Sequence, residues 1–440
     1  MSTGQSGRAQ TGLLRAIGRW SLVALTINSV IGSGVFGLPS TYAALLGAYS
    51  TVAVLIGGVA MGIIMACFAE VASQFSEAGG PYLYASTAFG RMVGILVGWM
   101  LYLSQAAAPA ANANLFVIYL AQFWPAAKEP WPRFALLTLL VGLLTLINIV
   151  GVRQGTAVSN VFTVAKVVPL LVVILAGTAA ILLRPSAISG PAIHISGNSW
   201  LQAMVLIVFA YGGFESALSP MSEARNPRRD IAFALLISLI SCMVIYALIQ
   251  WVVVGVLGPA ATSDRPLAEV AHVTMGGRGA TLVALGALVS MYGYLGAKLL
   301  AMPRVTFALA ERGDLPHLFS AVSRRFHTPW FSILVYAVVI WALAIGGSFK
   351  WNVSLSVVAR VFHYGVGCAA LIVLRRRQPA AALFRLPGGP IFAVIGILLC
   401  LVLLTQVDLT ESRIIGATAA AALLNWAWVR SKKSDVALQK

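Results

Sequence analysis

The sequence predicts an all-α polytopic membrane protein with twelve transmembrane helices. Of its 440 residues, 59% are hydrophobic and only 10% are charged, whereas a soluble domain has roughly 45–50% and 25%. The mean hydropathy is +0.89. A membrane-crossing helix needs about 20 apolar residues, and the chain contains twelve apolar runs of about this length, separated by polar, proline or glycine breaks.

The apolar runs give each predicted helix in order and divide the chain into regions. Helices 1–10 form a core domain over residues 20–374, and helices 11 and 12 follow within residues 375–429. A tail of residues 1–19 precedes the core domain, and a tail of residues 430–440 ends the chain. The twelve predicted helices cover residues 20–45, 51–70, 92–122, 134–150, 157–183, 200–221, 231–257, 280–303, 330–347, 352–374, 389–407 and 414–429.

The charge distribution predicts the orientation. The chain has a formal net charge of +17. If the N-terminus is cytoplasmic, the inner loops and tails hold 20 Lys and Arg residues and the outer loops hold 7. Basic residues accumulate in cytoplasmic loops, so both termini are expected in the cytoplasm. The expected location of the protein is the inner membrane of the cell. The net charge therefore requires no nucleic-acid partner.

The cysteines suggest neither a disulfide nor a metal site. All four lie in apolar runs without metal-ligand spacing, and we expect no cofactor. They are Cys67, Cys242, Cys368 and Cys400.

Helices 1 and 6 each contain a sequence that disfavours a continuous helix. Residues 31–39 read IGSGVFGLP, and residues 209–216 read FAYGGFES. Glycine and proline interrupt helices, and unwound backbone inside a bilayer needs partners from the protein, a cavity or a ligand. Glycines that serve close helix packing are the alternative. If helices 1–5 and 6–10 are inverted repeats, the two breaks correspond, which is typical of a transporter's binding site.

The chemistry of these breaks favours a zwitterion. Backbone N–H groups at residues 33–35, where the outer half of helix 1 begins, carry the positive end of a helix dipole and suit a carboxylate. The carbonyls of residues 209–211, which we assign to the end of the inner half of helix 6, suit an ammonium group. Neither role needs a fixed charge.

Several motifs together make the chain similar to a known family. Beside the two breaks, these are EAGGPY at residues 77–82, NPRR at 226–229 and the stretch 304–316, which ends in ERGDLP. In this order and with twelve spans, the chain resembles the bacterial amino acid permeases of the amino acid–polyamine–organocation superfamily, of the ApcT-like type. The resemblance implies a LeuT-type fold, in which a 5+5 inverted repeat contains the broken helices 1 and 6.

The same resemblance assigns roles to residues of the breaks. It implies that Gly32, Ser33 and Gly34 hold a substrate carboxylate. It also implies that the backbone of residues 209–211 holds the amino group, with Phe209 as part of an aromatic gate. The predicted substrate-binding residues are Ile31, Gly32, Ser33, Gly34, Val35, Phe209, Ala210, Tyr211 and Gly213.

Lys166 is the candidate for proton coupling. It lies about 13 Å into helix 5 at 1.5 Å per residue, near the middle of a hydrocarbon layer of about 30 Å. Burial disfavours the charged form of an amine, so such a lysine can gain and lose a proton. A constitutively charged, structural lysine is the alternative. By resemblance, Lys166 matches the helix-5 lysine of proton-coupled members, whose ammonium replaces a sodium ion and bridges helix 5 to helix 1.

Other polar residues of the spans have less defined roles. Glu215, at the start of what we take as the outer half of helix 6, either caps that half-helix or carries a proton. Lys298 is interpreted as a side chain that extends to the inner membrane surface. Arg360 and His363 share a face of helix 10 and are expected to line an inner vestibule, with coupling, gating and lipid contact all open. Gln105, Asn112 and Asn114 either face the site or bond neighbouring helices, and packing is the favoured interpretation for all three.

The sequence thus predicts import of neutral, mostly apolar amino acids by proton symport through alternating access. Glu215 is the only deep acid, which argues against cationic substrates. An exchanger of amino acids or amines and a transport-silent amino acid sensor are alternatives on the same fold. An enzyme is not expected, because of five histidines only His363 lies in a span, none has an acid partner at catalytic spacing, and no nucleotide-binding loop is present.

Overall fold

The computed structural model describes residues 18–76, 79–151, 156–183, 195–218, 224–258 and 262–438. Most of the predicted N-terminal tail, residues 77–78 of the EAGGPY motif and the last two residues of the C-terminal tail lie outside the described residues. The described chain consists of α-helices joined by short connections and 3-10 turns.

The described helices overlap the predicted spans, and their bounds differ most at predicted helices 8 and 12. In the first half they are α1 (Arg19–Val30), α2 (Ser33–Gly37), α3 (Pro39–Leu46), α4 (Ser50–Ala72), α5 (Gly80–Phe89), α6 (Arg91–Leu120), α7 (Pro130–Val150) and α8 (Thr156–Leu183). In the second half they are α9 (Gly197–Tyr211), α10 (Pro227–Leu257), α11 (Pro266–Glu311), α12 (Trp330–Gly346), α13 (Phe349–Arg377), α14 (Gly389–Leu404) and α15 (Leu409–Leu438).

The lengths and apolarity of these helices confirm a polytopic membrane protein. Within the described ranges, eight helical stretches are long and apolar enough to cross a bilayer. The apolar helices α12 and α14 are shorter, at 17 and 16 residues. Large apolar side chains are exposed along α4, α7 and α14, as expected for surfaces that face lipid rather than water.

The structure has a break at both predicted positions. In predicted helix 1, α1 ends at Val30, Ile31 and Gly32 are non-helical with ψ of 95° and −149°, and α2 begins at Ser33. In predicted helix 6, α9 ends at Tyr211, and a 3-10 turn over Phe214–Leu218 follows Gly212 and Gly213. Gly213 has φ of +108°, a conformation that glycine adopts without steric cost.

Neighbouring segments correct the assignment of the two halves of helix 6. α3, which follows the helix 1 break, packs against α9, whereas α1 packs against the 3-10 turn Phe214–Leu218. The sixth span therefore runs opposite to the first. With a cytoplasmic N-terminus, α9 is the outer half of helix 6, and Glu215 begins the inner segment. The prediction that residues 209–211 end an inner half-helix was wrong, because consecutive spans alternate in direction.

Predicted helix 8 is longer in the structure than the apolar run of residues 280–303. α11 extends over Pro266–Glu311, with a non-helical Gly276 (φ 71°, ψ −167°) within it. The added residues contain polar side chains such as His272 and Arg278. Helical structure can continue beyond the apolar span because water satisfies polar side chains there, so hydropathy alone finds only the apolar part.

Candidate functional site

The two helix breaks lie against each other. A Cβ atom added to Gly34 would be 3.0 Å from Ala210 Cα, 3.1 Å from Ala210 Cβ and 3.3 Å from Phe209 Cδ1. A Cβ atom at Gly213 would collide with the carbonyl oxygen of Ser29 in the last turn of α1. The structure therefore brings both halves of the predicted substrate-binding set together, and glycine permits the close approach at two places.

Tyr246 of α10 connects the two breaks through one hydroxyl group. Its oxygen lies 3.2 Å from the carbonyl oxygen of Val30 and 3.1 Å from that of Ala210. These carbonyls belong to the ends of α1 and α9, where the last carbonyls of a helix have no partner within it. Tyr246 is absent from the predicted site, although a hydroxyl group in the middle of an apolar span is a signal that the sequence contains.

The start of α2 retains unsatisfied polar groups. Ser33 is fully buried, and its Oγ has no hydrogen-bond partner among the described residues. The first backbone N–H groups of a helix also have no partner within the helix. Ile31 and Val35 are buried beside them, with exposed fractions of 0% and 4%. The arrangement offers hydrogen-bond donors to a ligand acceptor at residues 33–35.

The space between the outer parts of the breaks is nearly closed. A cavity of about 10 Å³ remains there, which is about the volume that holds one water molecule. Its walls come from both breaks and from α3, α4 and α10. The lining residues are Gly34, Val35, Pro39, Tyr42, Val54, Ile207, Ala210, Tyr211, Tyr246, Ile249 and Gln250. A ligand of amino acid size requires the surrounding helices to move apart.

Lys166 connects α8 to the end of α1. It is 3% exposed, and its Nζ donates to the backbone oxygen of Asn28 at 3.0 Å and to Asn28 Oδ1 at 2.9 Å. Asn28 lies near the end of α1, just before the break. The contact between predicted helix 5 and broken helix 1 is thus present, and the ammonium faces two neutral oxygens.

Glu215 is the centre of a second buried network. Its Oε1 accepts from Gln105 Nε2 at 3.0 Å, and its Oε2 accepts from Tyr364 Oη at 2.9 Å and from the backbone N–H of Gly213 at 2.9 Å. Arg360 Nε lies 3.2 Å from Oε1 and forms an ion pair. The bond to Gly213 shows that Glu215 does stabilise the helix 6 break, within a network that also includes helices α6 and α13.

Arg360 lies on the helix 6 break rather than in an inner vestibule. It is 1% exposed, and His363 is fully buried. Arg360 Nη1 donates to the carbonyl oxygen of Phe209 at 3.3 Å, and its Cζ lies 5.5 Å from the centroid of the Phe209 ring. A side chain at Gly212 would collide with the guanidinium. Arg360 thus donates to the Phe209 carbonyl, which was predicted to accept from a substrate amino group. The ion pair with Glu215 holds the guanidinium in this position.

The interpretation of Lys298 as a surface-reaching side chain was wrong. Lys298 is 6% exposed, and its Nζ donates to Gln105 Oε1 at 2.6 Å and to Ser216 Oγ at 2.6 Å. Of the roles open to Gln105, a bond between neighbouring helices is the one present, since its amide joins Lys298 to Glu215. Sequence position placed Lys298 near the inner end of a span, but α11 continues to Glu311, so the lysine is too deep to reach water.

The remaining polar residues of the spans have simpler environments. Asn112 donates to the carbonyl of Ala108 in its own helix, and Asn114 donates to those of Ala110 and Ala344. Within the described ranges, no three His, Cys, Asp or Glu side chains cluster as metal ligands do.

Comparison with known proteins shows which protein family the chain resembles. The family model described as amino acid permease matches residues 17–419. The chain is 26% identical over 417 residues to the branched-chain amino acid permease BcaP of Bacillus subtilis, covering 89% of this chain and 88% of that protein. It is also 28% identical to the methylthioribose transporter of B. subtilis, and the match covers 88% of this chain and 87% of that protein. The serine/threonine exchanger SteT of B. subtilis is 27% identical, with 88% and 90% covered.

Proposed function

The chain belongs to the amino acid permease family, and we propose that it imports amino acids across the cell inner membrane by proton symport. Family membership and the apolar helices make it a membrane-embedded transporter rather than an enzyme. We further propose twelve spans in the LeuT-type 5+5 arrangement, with helices 1–10 as the transport core. The 20-to-7 distribution of basic residues supports cytoplasmic termini.

The observation that carries this proposal is the contact between the two breaks. At this contact the start of α2, where Ser33 Oγ has no partner among the described residues, lies against the carbonyl end of α9, and Gly34 approaches Ala210 without an intervening side chain. A zwitterion presents a carboxylate acceptor and an ammonium donor, which complement these two groups. The carbonyls of Phe209 and Ala210 already accept from Arg360 and Tyr246, so the substrate ammonium displaces these donors or shares the carbonyls with them.

Lys166 is the proposed proton carrier. Its ammonium binds the end of α1 through Asn28, so loss of the proton removes a charged hydrogen bond from the segment next to the carboxylate site. Deprotonation then weakens the attachment of α1 to α8, and movement of α1 with the inner segment of helix 6 exposes the substrate to the cytoplasm. Rebinding of a proton restores the attachment.

Exchange is the second candidate, and it is favoured by one relative. The similar protein SteT is named a serine/threonine exchanger, and an exchanger would use the same two breaks. In an exchanger the empty binding site does not reorient from one side of the membrane to the other. A proton gradient alone therefore does not drive accumulation of substrate. A sensor that binds an amino acid without moving it is the third outcome.

The test uses purified protein in liposomes loaded at neutral pH and diluted into acidic, sodium-free buffer. We expect uptake of radiolabelled amino acids that a proton ionophore abolishes. Uptake only into liposomes preloaded with amino acid would establish exchange. Binding without passage in either condition would establish a sensor.

A variant pair tests the role of Lys166. Lys166→Ala should remove the pH dependence of uptake and leave only exchange of labelled for unlabelled substrate. Lys350→Ala is the matched control, because Lys350 is an exposed lysine. If Lys166→Ala retains the pH dependence of the parent protein, the lysine has a structural role only.

A further inference from the structure

Three buried cations surround the helix breaks in the part of the chain that the structure describes. Lys166, Lys298 and Arg360 have exposed fractions of 3%, 6% and 1%. The two lysine Nζ atoms lie 6.0 Å and 5.3 Å from the centroid of the Tyr294 ring, and Tyr294 packs against Gly32 in the helix 1 break. The cations therefore belong to one site rather than to separate parts of the bundle.

Within the same described neighbourhood, only Glu215 supplies a negative charge. Its two oxygens already accept from Gln105, Tyr364 and Gly213, and Arg360 forms its ion pair. Lys298 contacts neutral oxygens of Gln105 and Ser216 instead. Three cations thus share one carboxylate, so the site has an excess of positive charge. Such an excess is energetically unfavourable, because a buried ammonium needs an anion.

Among the described residues, Lys298 has only two hydrogen-bond acceptors for its three donors. An ammonium has three N–H donors, and two of them are directed to Gln105 Oε1 and Ser216 Oγ. These two partners lie on α6 and on the inner segment of helix 6, and Lys298 lies one turn beyond Tyr294 on α11. The ammonium is therefore at the junction of predicted helices 3, 6 and 8, and the Tyr294 ring contacts both it and Gly32 of the helix 1 break.

We propose that Lys298 determines specificity by binding an acidic group on the substrate side chain, so that the protein carries acidic amino acids. This inference rests on the proposed function, and it replaces the neutral, mostly apolar substrates that the sequence alone predicts. The substrate α-carboxylate occupies the start of α2, and the second carboxylate accepts the remaining donor of Lys298. A charged hydrogen bond of this kind satisfies both groups in a site that excludes water. Arg360 and Glu215 neutralise each other and leave the excess charge on the lysines.

The test compares acids with their amides, which have nearly the same shape. Purified protein in liposomes is assayed for uptake of aspartate and glutamate against asparagine, glutamine and leucine. We expect the parent protein to prefer each acid to its amide. A hydrogen bond to a charged group corresponds to about 10- to 150-fold in affinity, so Lys298→Gln should raise KM for the acids by about tenfold or more. KM for the amides should change by less than about threefold.

Two further variants keep the result interpretable. Lys298→Arg retains the positive charge and should retain the preference for acids, whereas Lys350→Gln removes an exposed lysine and should change neither KM. If Lys298→Gln does not yield folded protein, the acid-to-amide ratio of the parent protein and of Lys298→Arg decides the question.

The possible failures are distinguishable. Uptake of leucine and the amides without uptake of the acids would overturn the assignment of Lys298 and leave the proposed function intact. An equal preference for acid and amide in the parent protein would do the same. If no amino acid of the panel binds or crosses the membrane, the proposed function itself fails.

Discussion

Replacing Gly34 by alanine should impair closure of the two breaks. The added Cβ atom would lie 3.0 Å from Ala210 Cα and 3.3 Å from Phe209 Cδ1, whereas carbon atoms in contact prefer about 3.5–4.0 Å. The two segments must therefore separate by about 0.5–1 Å. A change of rotamer cannot relieve the contact with Ala210, because the atom is in the backbone.

The free energy that this separation costs can be taken from substitutions that enlarge side chains in protein cores. An inserted methyl group that forces backbone shifts costs about 1–3 kcal/mol. If the cost falls on the closed arrangement that the carrier passes through in each cycle, net uptake should slow by about 5- to 150-fold. The free energy of unfolding in detergent should fall by the same 1–3 kcal/mol.

Two measurements check this expectation, with a matched glycine as control. Initial rates of proton-driven uptake give the effect on transport, and thermal or denaturant unfolding of the purified protein gives the effect on stability. Gly142→Ala adds the same methyl group to a membrane helix where nothing lies within 4 Å. If Gly34→Ala matches Gly142→Ala in both measurements, the contact between the breaks has no role in closure.

Two other predictions concern the polar groups that hold the breaks. Glu215→Gln keeps the shape of the side chain but leaves Arg360 without an anion in the bundle interior. It should lower the free energy of unfolding by about 3–5 kcal/mol, measured by denaturant unfolding, and Glu215→Gln combined with Arg360→Gln should recover much of the loss. A single variant as stable as the parent would show that the pair is not essential to the fold. Tyr246→Phe removes the hydroxyl shared by the last carbonyls of both half-helices and should cost about 1–3 kcal/mol in the same assay. Tyr49→Phe, at a residue that is 60% exposed, should be neutral, and equal effects of the two tyrosine variants would contradict the bridging role.

Sequence patterns predicted the membrane helices and the position of the breaks because both depend on local chemistry. A run of apolar residues defines a span wherever it occurs, and glycines and a proline disfavour helix at residues 31–39 regardless of their neighbours. The depth of Lys166 also follows from counting along one helix, and its contact with the end of α1 agrees with the family resemblance.

The interactions between helices could not be obtained in this way. Lys298 was assigned to the membrane surface because its position was judged from an apolar run that ends before α11 does. Its partners Gln105 and Ser216 lie 193 and 82 residues away. Arg360 was likewise placed with His363 on one helix face, although its position depends on Glu215 in the sixth span, 145 residues earlier in the chain. Pairing across such distances depends on how helices pack, which the local pattern does not contain.

The small volume between the breaks has a consequence for measured affinity. A cavity of about 10 Å³ does not accommodate an amino acid, so the closed carrier must open before it binds. Apparent affinity is then the intrinsic affinity reduced by the open fraction, and an opening free energy of about 1.4 kcal/mol weakens it tenfold. Substitutions that loosen the closed arrangement from outside the site would strengthen apparent binding while slowing turnover. Affinity and transport rate in this protein are therefore linked through one conformational equilibrium, and neither alone reports the quality of the contacts with substrate.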